Sequence, residues 1–149
     1  MQDWEDVEIL LVEDNPSDME LAMVALKRRQ VNNKVFVVSD GEEALDFILC
    51  RMKYEGRSRK NAVKVIFLDL KLPKFDGLEV LKEIKSNPLT KVIPIVVLTS
   101  SNEERDIMAS YLYGANSFVT KPVDFEQFIT TIGRIGYYWL FINQSPKNI

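Results

Sequence analysis

Histidine is missing from all 149 residues, and that absence removes several chemistries at once. A Ser-His-Asp triad, a Cys-His nucleophile pair and a His-ligated zinc site each need an imidazole. Cys50 is the sole cysteine, so the chain can form no internal disulfide and offers no multi-thiolate metal site. Such sparing use of cysteine fits a reducing, cytoplasmic setting. No apolar run approaches the ~20 residues that a membrane helix needs. The acidic stretch 1–6 lacks the basic and apolar regions of an export signal. Basic residues are not in excess either: 19 Lys and Arg stand against 22 Asp and Glu, for a net charge of −3. That balance argues against a nucleic-acid partner, since phosphate contacts need an excess of cations. The basic clusters at 27–29 and 51–64 are offset by acidic segments and read as solvated faces. A soluble, cytoplasmic protein is expected, with no membrane partner. Its chemistry must run on carboxylates, hydroxyls, lysine and a hard cation.

Five short apolar runs are spread along the chain: Ile9-Leu10-Leu11-Val12, Val35-Phe36-Val37-Val38, Val65-Ile66-Phe67-Leu68, Ile95-Val96-Val97-Leu98 and Ser117-Phe118-Val119. Four are continuously apolar rather than alternating, the pattern of parallel strands covered on both faces. The fifth is shorter and reads as an edge strand. Helix signals lie between and after them. Asn15-Pro16 supplies an N-cap and a first-turn proline, followed by Met19, Ala22, Met23 and Leu26 on one face. Ser39 with Glu42 and Ser101 with Glu104 match capping boxes. Leu45, Ile48, Leu49 and Met52 line the second helix. Leu78 to Lys85 forms a third, stopped by Asn87-Pro88, and Asp124 with Gln127 opens a fifth that buries Phe125, Phe128, Ile129 and Ile132. The polar segment from Lys53 to Asn61 reads as a long surface loop.

Strand and helix alternate five times, which predicts an α/β fold with helices on both faces of a parallel sheet. Right-handed crossovers leave the flavodoxin-like, doubly wound order 2-1-3-4-5 as the expected arrangement. Neither repeats nor low-complexity segments interrupt it. A single domain over 1–149 is expected, with its core at about 8–132 and an aromatic C-terminal extension at 133–149.

Ligands of such sheets bind outside the carboxyl ends of the strands. There the sequence places Glu13 and Asp14 after the first run, Asp69 after the third, Thr99 and Ser100 after the fourth, and Lys121-Pro122 after the fifth. Three carboxylates in one cleft repel one another unless a cation compensates. Magnesium does so with oxygen ligands while keeping several waters. Metal and ammonium together suit a phosphoryl group carried on a carboxylate, and aspartate is a known nucleophile for that purpose. Asp69, on the central strand, is the natural acceptor. Singly, each of these residues could be a helix cap or a surface charge. Five in register on one rim form a specific pattern.

At these positions the chain resembles the response-regulator receiver domains of two-component systems, of the CheY-like kind. Val12-Glu13-Asp14-Asn15 is similar to that family's acidic pair, Leu68-Asp69-Leu70-Lys71-Leu72-Pro73 with Asp76-Gly77 to its phosphoacceptor segment, Leu98-Thr99-Ser100 to its switch hydroxyl, and Phe118-Val119-Thr120-Lys121-Pro122 to its switch aromatic and lysine. The resemblance implies a stand-alone response regulator that accepts a phosphoryl group on Asp69 from a histidine kinase. It implies Mg²⁺ held by Asp14, Asp69 and the main-chain carbonyl of Lys71, with Glu13 acting through water or orienting the ligands. Thr99 and Lys121 would bind phosphoryl oxygens, Lys121-Pro122 would be cis, and Thr99 and Phe118 would move together to remodel the face of helix 4, strand 5 and helix 5. Such a protein is not an enzyme toward other substrates and catalyses only its own phosphorylation and dephosphorylation.

Some positions depart from the family's commonest pattern. Glu13 replaces a frequent aspartate, Lys71 puts a cation two residues after the acceptor, and Phe118 lacks the hydroxyl of the tyrosine often found there. Two alternatives share the fold. A hydrolase with an aspartyl-phosphate intermediate commonly needs a second acid where Lys71 stands. A flavin-binding electron carrier needs a phosphate loop where Glu13-Asp14 would repel the phosphate. Within the family, the 51–64 connection, the Asp-Leu-Lys-Leu-Pro string and the tail are similar to the small regulators paired with phytochrome-type histidine kinases. The tail residues Tyr137, Tyr138, Trp139, Leu140 and Phe141 cannot all face inward from one helix. The tail aromatics either complete the core beneath the fifth helix or form a dimer patch. Because an exposed apolar patch marks a contact, Tyr137, Tyr138, Trp139 and Phe141 are expected at a homodimer interface.

Overall fold

The computed structural model describes residue 4, residues 6–58 and residues 63–146. Its centre is a sheet of five short strands: β1 (Ile9–Val12), β2 (Val35–Val38), β3 (Val65–Leu68), β4 (Ile95–Thr99) and β5 (Ser117–Thr120). All neighbours run parallel in the order β2-β1-β3-β4-β5, the flavodoxin-like order expected from the sequence. Side chains alternate along a strand, so each apolar run feeds two cores. Leu10, Val12, Ile66, Leu68, Ile95 and Val97 enter one, and Ile9, Leu11, Val65, Phe67, Val96 and Leu98 enter the other.

Helices α1 (Pro16–Arg28) and α5 (Phe125–Tyr137) pack on each other and cover the second core with Ala22, Ala25, Leu26, Phe128, Ile129 and Ile132. Helices α2 (Gly41–Ile48) and α3 (Gly77–Ser86) cover the first with Ala44, Leu45, Phe47, Ile48, Val80, Leu81 and Ile84. Helix α4 (Glu104–Leu112) lies beside α3 and β5 and buries only Ser110. None of the described helices is long and apolar enough to cross a membrane.

Caps fix where the helices begin. Asn15 accepts from the Asp18 amide and Asp124 from the Gln127 amide, as expected. For α2 the cap is Asp40, not Ser39: its Oδ1 accepts from the Glu43 amide at 2.7 Å. Gly41 decides this, because it opens the helix so close to the Phe75 main chain that a Cβ there would overlap the Phe75 carbonyl. Asp76 caps α3 in the same way. Ser101 forms no capping box with Glu104. The helix starts at Glu104, with Glu103 as an N-cap that makes no side-chain bond, and the Ser101 hydroxyl instead donates to Asp106 Oδ2 at 2.6 Å.

Three further expectations are corrected. Met52 is exposed because α2 ends at Ile48 and a 3₁₀ turn, Met52–Tyr54, follows. Phe125 is exposed because it opens α5 at the rim, above the sheet's apolar layer. The segment after Lys53 is anchored rather than a loose surface loop. Tyr54 is buried among Trp4, Phe36 and Phe47, and the Arg57 guanidinium lies 4.3 Å from the Phe47 ring centroid. Residues 59–61 of that expected loop lie outside the described residues.

After α5 the chain makes one turn of π-helix, Tyr138–Ile142, that buries Leu140. Leu140 and Phe141 lie beside Val63, Ile93 and Pro94, which precede β3 and β4, so the tail closes the end of the sheet opposite the carboxyl ends.

Candidate active site at the carboxyl ends of the strands

Main-chain bonds between strands bring the rim residues into register. The Glu13 amide donates to the Val38 carbonyl, the Asp69 amide to Val12 at 3.2 Å, and the Lys121 amide to Thr99 at 2.7 Å. Each residue stands immediately after an apolar strand, where the sheet ends and polar atoms regain access to water. Carboxylate oxygens of Glu13, Asp14 and Asp69 lie within 4.8 Å of one another. Glu13 and Asp69 are buried, and Asp14 is exposed.

The Lys121 ammonium stands against this cluster. Nζ donates to Glu13 Oε1 at 2.7 Å and to Asp69 Oδ2 at 2.8 Å. It also donates to Asp18 Oδ2 at 2.8 Å, a residue that the sequence argument did not place in the site. Asp18 lies on the first turn of α1, four residues after Asp14. Nothing in the sequence singles it out, because an acid on a first helical turn is ordinarily explained by the helix dipole. Burial works against the Lys121 charge, but the three carboxylates outweigh it and hold the ammonium's pKa above the ordinary lysine value. Burial pushes the Glu13 carboxyl up to about 7, against the pull of Lys121.

Asp69 is held at both oxygens, because Oδ1 accepts the Lys71 main-chain N–H at 3.1 Å. The Lys71 side chain is exposed. Thr99 is fully buried at the end of β4, and its Oγ1 accepts from the Ser101 amide. Phe118 pairs in register with Val97 and is half-buried against the first core. Among the described residues every peptide bond is trans, Lys121–Pro122 included, and not cis as the resemblance implied. Trans is the intrinsically favoured isomer of an X–Pro bond.

Four carboxylates around one ammonium leave an excess of negative charge in a partly buried pocket. Hard oxygen donors at this spacing fit a divalent cation such as Mg²⁺ or Mn²⁺. The model of the response regulator receiver domain matches residues 9–133. The chain belongs to the response-regulator receiver family. It is 41% identical over 132 residues to the response regulator Rcp1 of Synechocystis sp., covering 89% of this chain and 88% of that one. The phosphorylated cyanobacterial phytochrome response regulator RcpA superposes with a TM-score of 0.87 at 40% identity, over 93% of this chain and 97% of that chain. A Mn²⁺-bound form of Rcp1 superposes at 0.85 with 38% identity, over 93% and 97%. Neither the hydrolase nor the flavin reading finds support among these relatives, and Lys71 and Glu13-Asp14 stand where each would need a different residue.

Proposed function

We propose that Asp69 is the phosphoacceptor of a two-component phosphorelay, served by Thr99 and Lys121, with Glu13, Asp14, Asp69 and the Lys71 main-chain carbonyl holding Mg²⁺. One observation carries this reading: Asp69 is gripped at both oxygens, by the Lys71 amide and the Lys121 ammonium, inside an acidic cluster. A bound divalent cation supplies the positive charge that lets an anionic donor approach this pocket.

The chain's own residues do the rest. A carboxylate oxygen of Asp69 attacks phosphorus, the bond from phosphorus to a phosphohistidine nitrogen breaks, and its electron pair returns to the imidazole of the donor. An acyl phosphate forms, and Lys121 pairs with one of its oxygens. Water later attacks phosphorus, restoring the carboxylate and releasing inorganic phosphate. No histidine exists in this chain, so the phosphoryl group comes from another protein's phosphohistidine, that of a sensor histidine kinase, or from a small phosphodonor. The resemblance to the phytochrome response regulator RcpA favours a kinase of the phytochrome type. The buried Thr99 hydroxyl moves toward the phosphoryl group, Phe118 follows it inward, and the face of α4, β5 and α5 changes shape. Residues 8–132 form the receiver core, and the 133–149 extension pairs two copies of the chain through its exposed aromatics. The protein works in the cytoplasm.

The test is intact-mass measurement after incubation with Mg²⁺ and acetyl phosphate. Wild type should gain one phosphoryl group, and Asp69→Asn should gain none; labelling of that variant would reject Asp69 as the acceptor.

A further inference from the structure

Lysine carries three N–H donors and no acceptor. In this structure all three of Lys121 are engaged, by Glu13 Oε1 at 2.7 Å, Asp18 Oδ2 at 2.8 Å and Asp69 Oδ2 at 2.8 Å. An ammonium so filled can reach a phosphoryl oxygen only by releasing one acceptor. Phosphorylation itself selects which one. Once Asp69 carries phosphorus its carboxylate charge is gone, and the nearest strong acceptors become the phosphoryl oxygens. The donor formerly on Asp69 is then free to turn to them, while Glu13 and Asp18 keep the other two.

We infer that Asp18 is a positioning residue for phosphoryl transfer and for phosphoryl loss, acting through Lys121. This rests on the reading of Asp69 as the phosphoacceptor. Of the three anchors, Glu13 and Asp69 are almost enclosed, whereas the Asp18 side chain retains 28% of its exposure. Asp18 therefore closes the water-facing side of the ammonium. It does so from the capped first turn of α1, a helix that packs on α5. Without it one donor would turn to solvent, and the remaining two would not fix the direction of the third. The transition states for gaining and for losing the phosphoryl group both place charge on the oxygens Lys121 faces, so both rates should respond alike.

The test compares wild type, Asp18→Asn, Asp18→Glu and Asp69→Asn as full chains. Phosphorylation by acetyl phosphate with Mg²⁺ and decay after donor removal are followed by intact mass, and melting temperature is recorded for each. Losing one charge-assisted hydrogen bond should slow both rates of Asp18→Asn by roughly ten-fold. Asp18→Glu should recover most of the loss, and melting should stay within about 2 °C of wild type. Rates of Asp18→Asn within two-fold of wild type would overturn the inference, as would faster rates. So would a loss that Glu fails to rescue and that tracks a lower melting temperature, since the role would then be structural. Asp69→Asn separates the two readings. If it accepts phosphate, the acceptor assignment fails; if it is inert and Asp18→Asn behaves as wild type, only the role of Asp18 fails.

Discussion

The main-chain N–H of Gly77 donates to the carbonyl of Leu70 at 2.9 Å, which seats the start of α3 directly on the loop that follows Asp69. No side chain fits between them. A Cβ on Gly77 would lie 2.3 Å from the Asp69 carbonyl oxygen and 2.5 Å from Leu70 Cα. Both contacts are with backbone, so neither can swing aside.

Gly77→Ala should therefore displace the Asp69 main chain. Overpacking of this kind costs about 1–3 kcal/mol, read as a lower denaturation midpoint. Phosphorylation by acetyl phosphate should slow as well, because small misplacements of a reacting group are costly. A variant with wild-type midpoint and rate would show that the loop yields freely.

Asp14 is the exposed member of the acidic triad, in reach of the other two carboxylates but hydrogen-bonded to neither the lysine nor a cap. Asp14→Ala should lower Mg²⁺ affinity at least roughly ten-fold in calorimetric titration while leaving stability without metal nearly unchanged. An unaltered affinity would remove Asp14 from the metal site.

At the opposite end of the sheet, Glu8 takes Lys34 and Lys64 at 2.8 Å each, and so ties the start of β1 to those of β2 and β3. Burial raises its pKa, but the two ammonium groups outweigh that and leave it below the ordinary 4.5. A carboxylate with a depressed folded-state pKa contributes stability above its unfolded value and loses it as pH falls through the folded one. Glu8→Gln should thus melt below wild type at neutral pH, with the gap closing as pH falls below the ordinary carboxyl value of 4.5 and shrinking in high salt. A gap independent of pH would mean that the glutamate acts by packing alone.

In the tail, Leu140 is buried and Trp139 packs partly on the second core, whereas Tyr137, Tyr138, Phe141 and Ile142 are exposed. Polar replacement of Tyr138, Phe141 and Ile142 should shift the protein toward monomer in sedimentation, with stability changes near 0.5 kcal/mol per site. Persistence of a dimer would place its interface elsewhere. Trp139 is best left intact, because its loss would disturb the core as well.

The sheet was readable because four of its five strands are uninterrupted apolar runs, a pattern that a one-sided strand does not produce. Glu13, Asp69 and Thr99 followed from the same rule, being the first polar groups after those runs, with Asp14 and Lys121 one place further on. Helix starts were less readable where two capping residues stood side by side. Ser39 and Asp40 compete, and the choice falls to Gly41, whose neighbour Phe75 lies 34 positions further along. Tyr54 and Arg57 looked like loop residues because their burial depends on an aromatic cluster gathered from Trp4, Phe36 and Phe47. Asp18 was hidden for a related reason. An acid on a first helical turn is ordinarily explained by the helix dipole, and only the approach of Lys121, 103 residues away, gives it another task.

The pairing of Val97 with Phe118 and of Thr99 with Thr120 along β4 and β5 has a consequence for how this chain can vary. Phe118 shares a sheet face with Thr99, and Lys121 leaves the strand three positions later. Inserting or deleting one residue between them would turn the aromatic ring to the far side of the sheet or draw the ammonium off the rim. Residue identity between 118 and 121 can drift; the spacing cannot.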